Sequence, residues 1–285
     1  MGEVSKAVLI TGCSSGIGEA TARHLAARGW TVYASARRPE SIAHLEQDGC
    51  KLLALDVTDE QSMSAAVSAV EQAEGAVGVL INNAGYSQGG AVESVPIDAV
   101  RRQFDTNVFG LTRMCQLVLP GMRSQRFGKI VNVSSMGANF TFPGGGFYHS
   151  SKFAVEAISD ALRFEVRGFG VDVIVMQPGL ILTNFGEAAG HALSADAGAE
   201  SNGTYTQFNA AVGKATREVY EGGPMSKLGG PPAAVAKKIE RAITARRPKT
   251  RYLVTPSAHL LVNQRKLMSD RMWDRMMRTQ FPQPK

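Results

Sequence analysis

Cysteine is scarce in this 285-residue chain, and its three cysteines form no pattern. Cys13, Cys50 and Cys115 lie far apart and are odd in number, which excludes a disulfide-stapled fold and a cysteine metal site. The five histidines also lack metal-ligand spacing, so we expect no bound metal. Reduced thiols are typical of a cytoplasmic protein, and we expect that location.

Long apolar runs are also lacking. No stretch of about 18 consecutive apolar residues occurs, so the sequence predicts no membrane-spanning helix. The first residues show no charged-then-apolar leader, so we expect no secretion. Hydrophobic residues make up 44% and charged residues 20%, which are values typical of globular proteins. We expect one domain over residues 1–285.

Positive charge is concentrated at one end of the chain. The formal net charge is +6, yet the segment from Arg241 to Lys285 alone holds 11 Lys or Arg and only 2 Asp or Glu. A basic tail on an otherwise mildly acidic chain is thin support for nucleic-acid binding. We therefore expect no nucleic-acid partner.

Short β-rich segments alternate with helical patterns. The predicted strands are 7–11, 31–35, 51–55, 77–82, 129–134, 171–176 and 251–255. The predicted helices include 17–28, 59–74, 97–124 and 149–167. Several strands are continuously apolar, as in a parallel sheet that is buried on both faces. The alternation predicts an α/β fold, a doubly wound parallel sheet of about seven strands in three α/β/α layers.

Two regions interrupt this alternation. Segment 184–230 is rich in glycine and alanine, carries scattered aromatic residues, and is too long for a plain connection, which predicts a substrate lid. Residues 256–285 form a predicted C-terminal helical extension. One stripe of this extension contains Leu261, Met268, Met272 and Met276. Packing over a pocket or against another subunit is one interpretation, and a peripheral membrane helix with basic flanks is the alternative.

The glycine-rich sequence TGCSSGIGEA follows the first predicted strand and opens a helix. Gly12, Gly16 and Gly18 would permit a tight turn and the close approach of a pyrophosphate to the N–H groups of the helix N-terminus. Their spacing is G-x-x-x-G-x-G instead of the common dinucleotide fingerprint G-x-G-x-x-G. A plain glycine-rich turn is the alternative, but the position in the first βα unit favours nucleotide binding.

The ends of the second and third strands bear on cofactor choice. A carboxylate after the second strand would bind the ribose 2′-OH of NAD, but this chain has Arg37 and Arg38, which suit a 2′-phosphate. We therefore expect NADP(H) to be preferred over NAD(H), with two solvated arginines as the alternative. Asp56 would accept a hydrogen bond from the adenine amino group. Alternatively, it would be an acidic residue at the N-terminus of a helix that begins at Thr58 or Asp59.

Tyr148 and Lys152 lie four positions apart on a predicted helix, so they share one face. A free tyrosine has a pKa of about 10, which suits catalysis near pH 7 poorly. An ammonium at ~4 Å contributes roughly 4 kcal/mol at a dielectric constant of 20, enough to lower that pKa by about 3. We assign no catalytic role to His149, which faces away from Tyr148, and no role to Ser150 or Ser151.

Six motifs in order resemble the short-chain dehydrogenase/reductase family over about residues 5–255. They are TGCSSGIG, NNAG at 82–85, Asn107 in DTNVFG, Ser135 in NVSSMG, the Y-x-x-x-K of Tyr148 and Lys152, and Pro178–Gly179 followed by Thr183. The resemblance implies NAD(P)(H)-dependent interconversion of alcohols and carbonyls on one Rossmann-type domain. The C-terminal extension is most similar to hydroxysteroid/retinol dehydrogenase-like and acyl-dihydroxyacetone-phosphate reductase-like members.

The resemblance also implies residue roles. In reduction Tyr148 is the general acid, Ser135 polarises the carbonyl, and Lys152 tunes Tyr148 and contacts the nicotinamide ribose. Ser135 fits the family's serine–tyrosine separation better than Ser134. Asn107 would hold a water beside Lys152, or would be a polar break in a helix. The expected cofactor contacts are Gly12, Ser14, Ser15, Gly16, Ile17, Gly18, Arg37, Asp56, Val57, Asn83, Ala84, Gly85, Tyr148, Lys152, Pro178, Gly179 and Thr183.

The segment before Tyr148 indicates a lipophilic substrate. Phe140, Phe142 and Phe147 are close to the expected chemistry, and no cation other than Lys152 stands nearby, which disfavours an anionic group. Steroid, retinoid and lipid ketones or aldehydes all fit, although these aromatics could instead pack a core or a subunit contact. The family resemblance further implies a homodimer or homotetramer. The alternatives to carbonyl reduction are NAD(H)-dependent alcohol oxidation and a catalytically silent, cofactor-binding regulator.

Overall fold

The computed structural model describes residues 4–183, 203–221, 223–281 and 283. All seven predicted strands form, within two residues at each end: β1 Val8–Ile10, β2 Val32–Ala36, β3 Lys51–Ala54, β4 Val79–Asn82, β5 Gly128–Val133, β6 Val171–Pro178 and β7 Arg251–Val254. They build one sheet of order β3-β2-β1-β4-β5-β6-β7 in which every neighbouring pair is parallel. The predicted doubly wound α/β fold is confirmed.

Helices cover both faces of the sheet. Those of the described residues are α1 Gly16–Ala26, α2 Glu60–Glu74, α3 Ile97–Phe104, α4 Leu111–Ser124, α5 Gly146–Val166, α6 Thr206–Glu221, α7 Pro232–Thr244, α8 Pro256–Leu267 and α9 Asp270–Gln280. Apolar strand residues alternate between two cores. One core packs the sheet against α1 and α7, and the other packs it against α2, α4 and α5. This burial on both faces explains why the strands are continuously apolar.

The strand order reverses between β1 and β4, which places a crevice at the carboxyl ends of these central strands. Helix α2 illustrates how local signals set the boundaries. The Asp59 carboxylate accepts a hydrogen bond from the Ser62 backbone N–H at 2.6 Å, and Gly75 ends the helix with a φ of +83°. A side-chain cap at one end and a positive-φ glycine at the other fix the helix on the predicted residues.

The predicted helix 97–124 is interrupted. A π-helical turn, Asp105–Gly110, separates α3 from α4 and contains Asn107. Gly110 lies directly against the strand-β3 loop, because a Cβ at this position would be 2.2 Å from the Val57 carbonyl oxygen. The wider turn lets the helix backbone approach that loop, and π-helical turns are frequent at functional sites.

The C-terminal extension differs from its prediction. It forms two helices, because the Ser269 hydroxyl caps the N-terminus of α9 and restarts the helix register. Of the predicted stripe, Leu261, Met268 and Met276 pack against a third apolar cluster near the sheet's carboxyl edge, whereas Met272 is 53% exposed. The same cluster buries Trp273 and Met277 of α9. The structure therefore agrees with the stripe at three of its four residues.

Part of the predicted lid lies outside the described residues, namely 184–202, which includes Phe185, and residue 222. Its described remainder contains α6. None of the described helices combines the length and apolar character that crossing a bilayer needs. Over the same residues, no group of three or more His, Cys, Asp or Glu is arranged to hold a metal ion. All three cysteines are buried and unpaired, and burial raises the pKa of the Cys13 thiol to about 12.

Candidate active site

A cavity of about 1110 Å³ opens at the carboxyl ends of the central strands. It is lined by every sequence-predicted cofactor contact except Gly18, and also by Ser135. Asn107 lies behind its wall. The volume slightly exceeds that of most small-molecule sites, as expected where a dinucleotide and a substrate share one crevice.

The glycine loop is shaped for close backbone approach. Gly12 and Gly16 have φ angles of +72° and +62°, a conformation that other residues adopt rarely. A Cβ at Gly12 would lie 2.9 Å from Ala84 Cα, and one at Gly18 would lie 2.2 Å from the Gly12 carbonyl oxygen. Gly12 and Gly16 therefore form the cradle itself, while Gly18 lets the helix pack against it.

The NNAG segment after β4 anchors this loop. The Thr11 hydroxyl accepts hydrogen bonds from the backbone N–H groups of Asn83 and Ala84, both at 3.0 Å. The Asn83 side-chain amide donates to the carbonyl oxygens of Thr11 and Gly12, both at 2.9 Å. Asn83 thus lines the cavity and also holds the glycine loop in place.

The side chains after β2 and β3 face the far end of the cavity. Arg37 and Arg38 are exposed there beside Ser41, a lining residue that the sequence reading missed. Asp56 accepts from the Thr58 backbone N–H at 2.9 Å and from its hydroxyl at 2.7 Å. Since Asp59 caps α2, Asp56 is not the capping acid, and its carboxylate lines the cavity.

Ser135 and Tyr148 meet at the centre of the site. Both side chains line the cavity, and the Ser135 hydroxyl accepts a hydrogen bond from the Gly137 backbone N–H at 3.0 Å. Desolvation raises the pKa of the Tyr148 phenol above its ordinary value, and the neighbouring Ser135 hydroxyl opposes this rise. Ser134 also lines the cavity, but its buried hydroxyl has no hydrogen-bond partner among the described residues.

Lys152 lies beneath the tyrosine. Its ammonium is 5.8 Å from the Tyr148 ring centroid and donates to the Val133 carbonyl oxygen at 2.9 Å. Burial lowers the pKa of Lys152 to about 8, and the nearby Glu156 carboxylate opposes that shift. The sequence led us to expect that Lys152 lowers the pKa of Tyr148. In the structure desolvation of the phenol is instead the largest effect, because both groups are removed from water.

Asn107 links three parts of the site. Its side-chain oxygen accepts from the Tyr86 N–H at 3.1 Å, and its amide nitrogen donates to the Tyr86 carbonyl at 2.9 Å and to the Ser151 hydroxyl at 3.1 Å. Ser151 in turn donates to the Tyr148 carbonyl at 2.7 Å. Ser151, to which we assigned no role, thus joins Asn107 to the backbone of Tyr148, and its position one turn after Tyr148 was the available signal for this contact.

Gly85 gives this network its access to the cavity. A Cβ at residue 85 would lie 3.0 Å from the Asn107 side-chain oxygen and 3.7 Å from the Lys152 ammonium nitrogen. The absence of a side chain leaves both polar groups close to the cavity wall. Buried polar atoms at this spacing suit a bridging water, which agrees with the role that the resemblance implies for Asn107.

Aromatic side chains form the opposite wall. The ring of Phe140 is 5.0 Å from Phe142 and 5.4 Å from Trp273, and Phe142 stacks on Trp273 at 6.1 Å. Phe281, just after α9, also lines the cavity, whereas Phe147 does not. The C-terminal extension therefore contributes to the roof of the site.

Comparisons with known proteins agree with this arrangement. Residues 6–193 match the family model described as short chain dehydrogenase. The chain is 45% identical over 179 residues to a 3-ketodihydrosphingosine reductase of Bacteroides thetaiotaomicron, a match that covers 62% of this chain and 65% of that relative. Thus less than two thirds of that relative is matched.

Two further similarities extend over nearly the whole chain. An NADPH-dependent 3-dehydrocapnine reductase of Ornithobacterium rhinotracheale is 35% identical and is matched over 94% of each chain. The crystal structure of a short-chain dehydrogenase from Streptomyces avermitilis superposes with a TM-score of 0.74 at 30% identity, covering 98% of this chain and 99% of the other.

Proposed function

This chain belongs to the short-chain dehydrogenase/reductase family of oxidoreductases, and we propose that it reduces a ketone or aldehyde on a lipophilic substrate with NADPH. The Ser135 and Tyr148 side chains, which line one cavity together with the glycine cradle, carry this proposal. When bound, the nicotinamide cofactor supplies the hydride. The protein's own residues provide the proton and hold the carbonyl.

Tyr148 is the proposed proton donor. Its raised pKa keeps the phenol protonated at neutral pH, as a general acid requires. Ser135 uses one lone pair to accept from Gly137, so its own hydrogen can point toward the oxygen of Tyr148 or of a substrate carbonyl. Lys152 and Asn107 lie behind this pair and are placed to return a proton toward Tyr148.

Arg37 is the proposed 2′-phosphate contact. Its guanidinium lies at the cavity end opposite the tyrosine, and a planar fork suits a phosphate. The relative from Ornithobacterium rhinotracheale is named as NADPH-dependent, which supports the same preference. NAD(H)-dependent alcohol oxidation is the alternative within this family.

Of the lipophilic classes, we favour a lipid ketone. Phe140, Phe142, Val212 and Val219 line the same cavity as Tyr148 and offer apolar surface to a substrate. Two relatives are named as reductases, one of them of a 3-keto group on dihydrosphingosine. The burial of Trp273 supports a roof role for the C-terminal extension over membrane contact.

The decisive measurement is NADPH consumption with the purified full chain across steroid, retinoid and lipid ketones of matched solubility. We expect the highest kcat/KM for a ketone on a long alkyl chain, and the product should be the corresponding alcohol. Preference for a steroid or retinoid would overturn the lipid assignment. Absence of turnover with every ketone and every alcohol, despite NADPH binding, would favour the silent regulator.

A homo-oligomer formed through α5 is also proposed. Phe153 and Phe164 are exposed on this helix, and Phe109 is exposed on the π-helical turn that packs against it. Phe153 and Phe164 are separated by about three helical turns, so they share one face. A row of exposed aromatics is typical of a surface that another copy covers.

A further inference from the structure

His149 is a buried residue next to the proposed acid, and the proposed chemistry does not use it. Its imidazole is 7% exposed, with Nδ1 2.7 Å from the Gly137 carbonyl oxygen and Nε2 3.4 Å from the Phe142 backbone nitrogen. A carbonyl oxygen only accepts, so Nδ1 carries the proton, and Nε2 accepts from the Phe142 N–H. Burial lowers the pKa of His149, which agrees with a neutral ring.

The Nδ1 side of the ring fixes the serine turn. Gly137 accepts from His149 through its carbonyl oxygen and donates through its N–H to the Ser135 hydroxyl at 3.0 Å. A Cβ at Gly137 would lie 2.4 Å from His149 Nδ1, so the imidazole is seated directly on this glycine. Any rotation of the ring would therefore shift Gly137, whose N–H donates to the Ser135 hydroxyl.

The Nε2 side of the ring fixes the aromatic wall. Phe142 donates its backbone N–H to Nε2, and its ring lies edge-on to the imidazole at 6.0 Å. A Cβ at Gly145 would lie 2.8 Å from His149 Cδ2. The imidazole is thus clamped between Gly137 and Gly145, and helix α5 carries it into the gap between the serine turn and the wall.

We propose that His149 is a positioning residue that couples the Ser135 turn to the Phe142 wall, so that one ring sets both carbonyl polarisation and the seat of the apolar substrate. The inference rests on the proposed ketone reduction. His149 holds Gly137, whose N–H occupies one lone pair of the Ser135 hydroxyl. The hydroxyl hydrogen of Ser135 is then directed away from the turn, toward the reacting oxygen. Through Phe142, His149 holds the surface against which the substrate packs.

Two substitutions separate the two halves of this coupling. His149→Asn places an amide nitrogen near the Nδ1 position, which retains the bond to Gly137 and loses the bond from Phe142. His149→Gln places its amide near Nε2, which retains the Phe142 contact and loses the Gly137 contact. Ser150→Ala is the matched control, because the Ser150 hydroxyl is exposed and donates to the Phe147 carbonyl oxygen one turn back on the same helix.

We expect a split between the kinetic constants for a lipid ketone. His149→Asn should raise KM by about 2- to 10-fold with little change in kcat, as for the loss of one neutral hydrogen bond. His149→Gln should lower kcat by about 10- to 100-fold, because small misplacements at a reacting centre have effects of that size. Equal effects of both variants on both constants, or no effect of either, would overturn the coupling.

A second measurement does not depend on turnover. In ¹⁵N-histidine NMR of the full chain, His149 should give a neutral ring with a slowly exchanging Nδ1–H, and the signal should persist when NADPH is added. A proton on Nε2 instead, or rapid exchange with solvent, would overturn the proposal. If the ring behaves as expected and no ketone is reduced, the proposed function fails while the structural coupling stands.

Discussion

The ammonium of Lys152 donates a hydrogen bond to the Val133 carbonyl oxygen at 2.9 Å, at the point where β5 ends. The same ammonium is 5.8 Å from the centroid of the Tyr148 ring. The end of the central strand therefore fixes the cation below the phenol, and the helix alone does not. This relationship makes the charge of Lys152 depend on its buried surroundings, which the next prediction tests.

Activity should decline as Lys152 loses its proton. Burial lowers the pKa of Lys152 to about 8, so the neutral form accumulates above that pH in the cofactor-free protein. The pH dependence of kcat/KM for NADPH reports ionisations of the cofactor-free enzyme. We therefore expect kcat/KM to fall above about pH 8. Glu156 raises the pKa of Lys152, so Glu156→Gln should move this decline to lower pH.

Asp160→Asn provides the matched control for this prediction. Glu156 and Asp160 lie on the same helix, and both pair with Arg251, at 2.8 and 2.7 Å. Only Glu156 acts on the pKa of Lys152. An equal shift of the pH profile in both variants would mean that loss of the Arg251 contacts, and not the charge near Lys152, is responsible.

Removal of the Tyr148 hydroxyl should abolish proton donation without emptying the cofactor site. Tyr148→Phe keeps the ring and its packing, so NADPH affinity measured by fluorescence titration should stay within about threefold, and kcat should fall by about 10²–10⁴-fold. Phe147→Leu, at a neighbour that does not line the cavity, should leave kcat near the wild-type value. Near-normal turnover of the Tyr148 variant would reject the assigned acid.

Reversal of charge at Arg37 should change the cofactor preference. Loss of a charge-assisted contact to a 2′-phosphate corresponds to about 1.5–3 kcal/mol, so Arg37→Asp should raise KM for NADPH by about 10- to 100-fold. The new carboxylate should also lower KM for NADH, since it can bind a 2′-hydroxyl. The same KM measurements on Arg38→Asp show how much the second guanidinium contributes to binding of the 2′-phosphate. Unchanged KM values in both variants would exclude a 2′-phosphate site here.

The sequence predicted the sheet because burial on both faces leaves a simple apolar signature, as in the continuous run of β5. It also identified the cavity lining, since strand ends and the glycine loop are local features. The π-helical turn around Asn107 could not be predicted, because it depends on the contact between Gly110 and Val57 across the fold. His149 is a nearer case: its partners Gly137 and Phe142 lie only 12 and 7 residues earlier in the chain, but the irregular loop that brings them to the imidazole has no periodic pattern.

The C-terminal extension shows a different limit of sequence reasoning. Its methionine and tryptophan content indicated a buried face, and that much agrees with the structure. Leu261, Met268 and Met276 of the predicted stripe do pack against the third apolar cluster, but Met272 is exposed, because Ser269 starts a second helix with a new register. The burial of Trp273 depends on Phe140 and Phe142, which lie about 130 residues earlier in the chain.

Disruption of the exposed aromatic face on α5 should dissociate the oligomer. Phe164 is 88% exposed, so Phe164→Asp should not disturb the monomer fold, but in a subunit contact it would bury an unpaired charge. We expect sedimentation equilibrium to show a dimer or tetramer for the wild type and a weaker association for the variant. Leu267→Asp, at an 86% exposed residue that ends α8, is the matched control and should retain the wild-type mass. If Leu267→Asp dissociates the oligomer and Phe164→Asp does not, the contact lies on the C-terminal extension instead of α5.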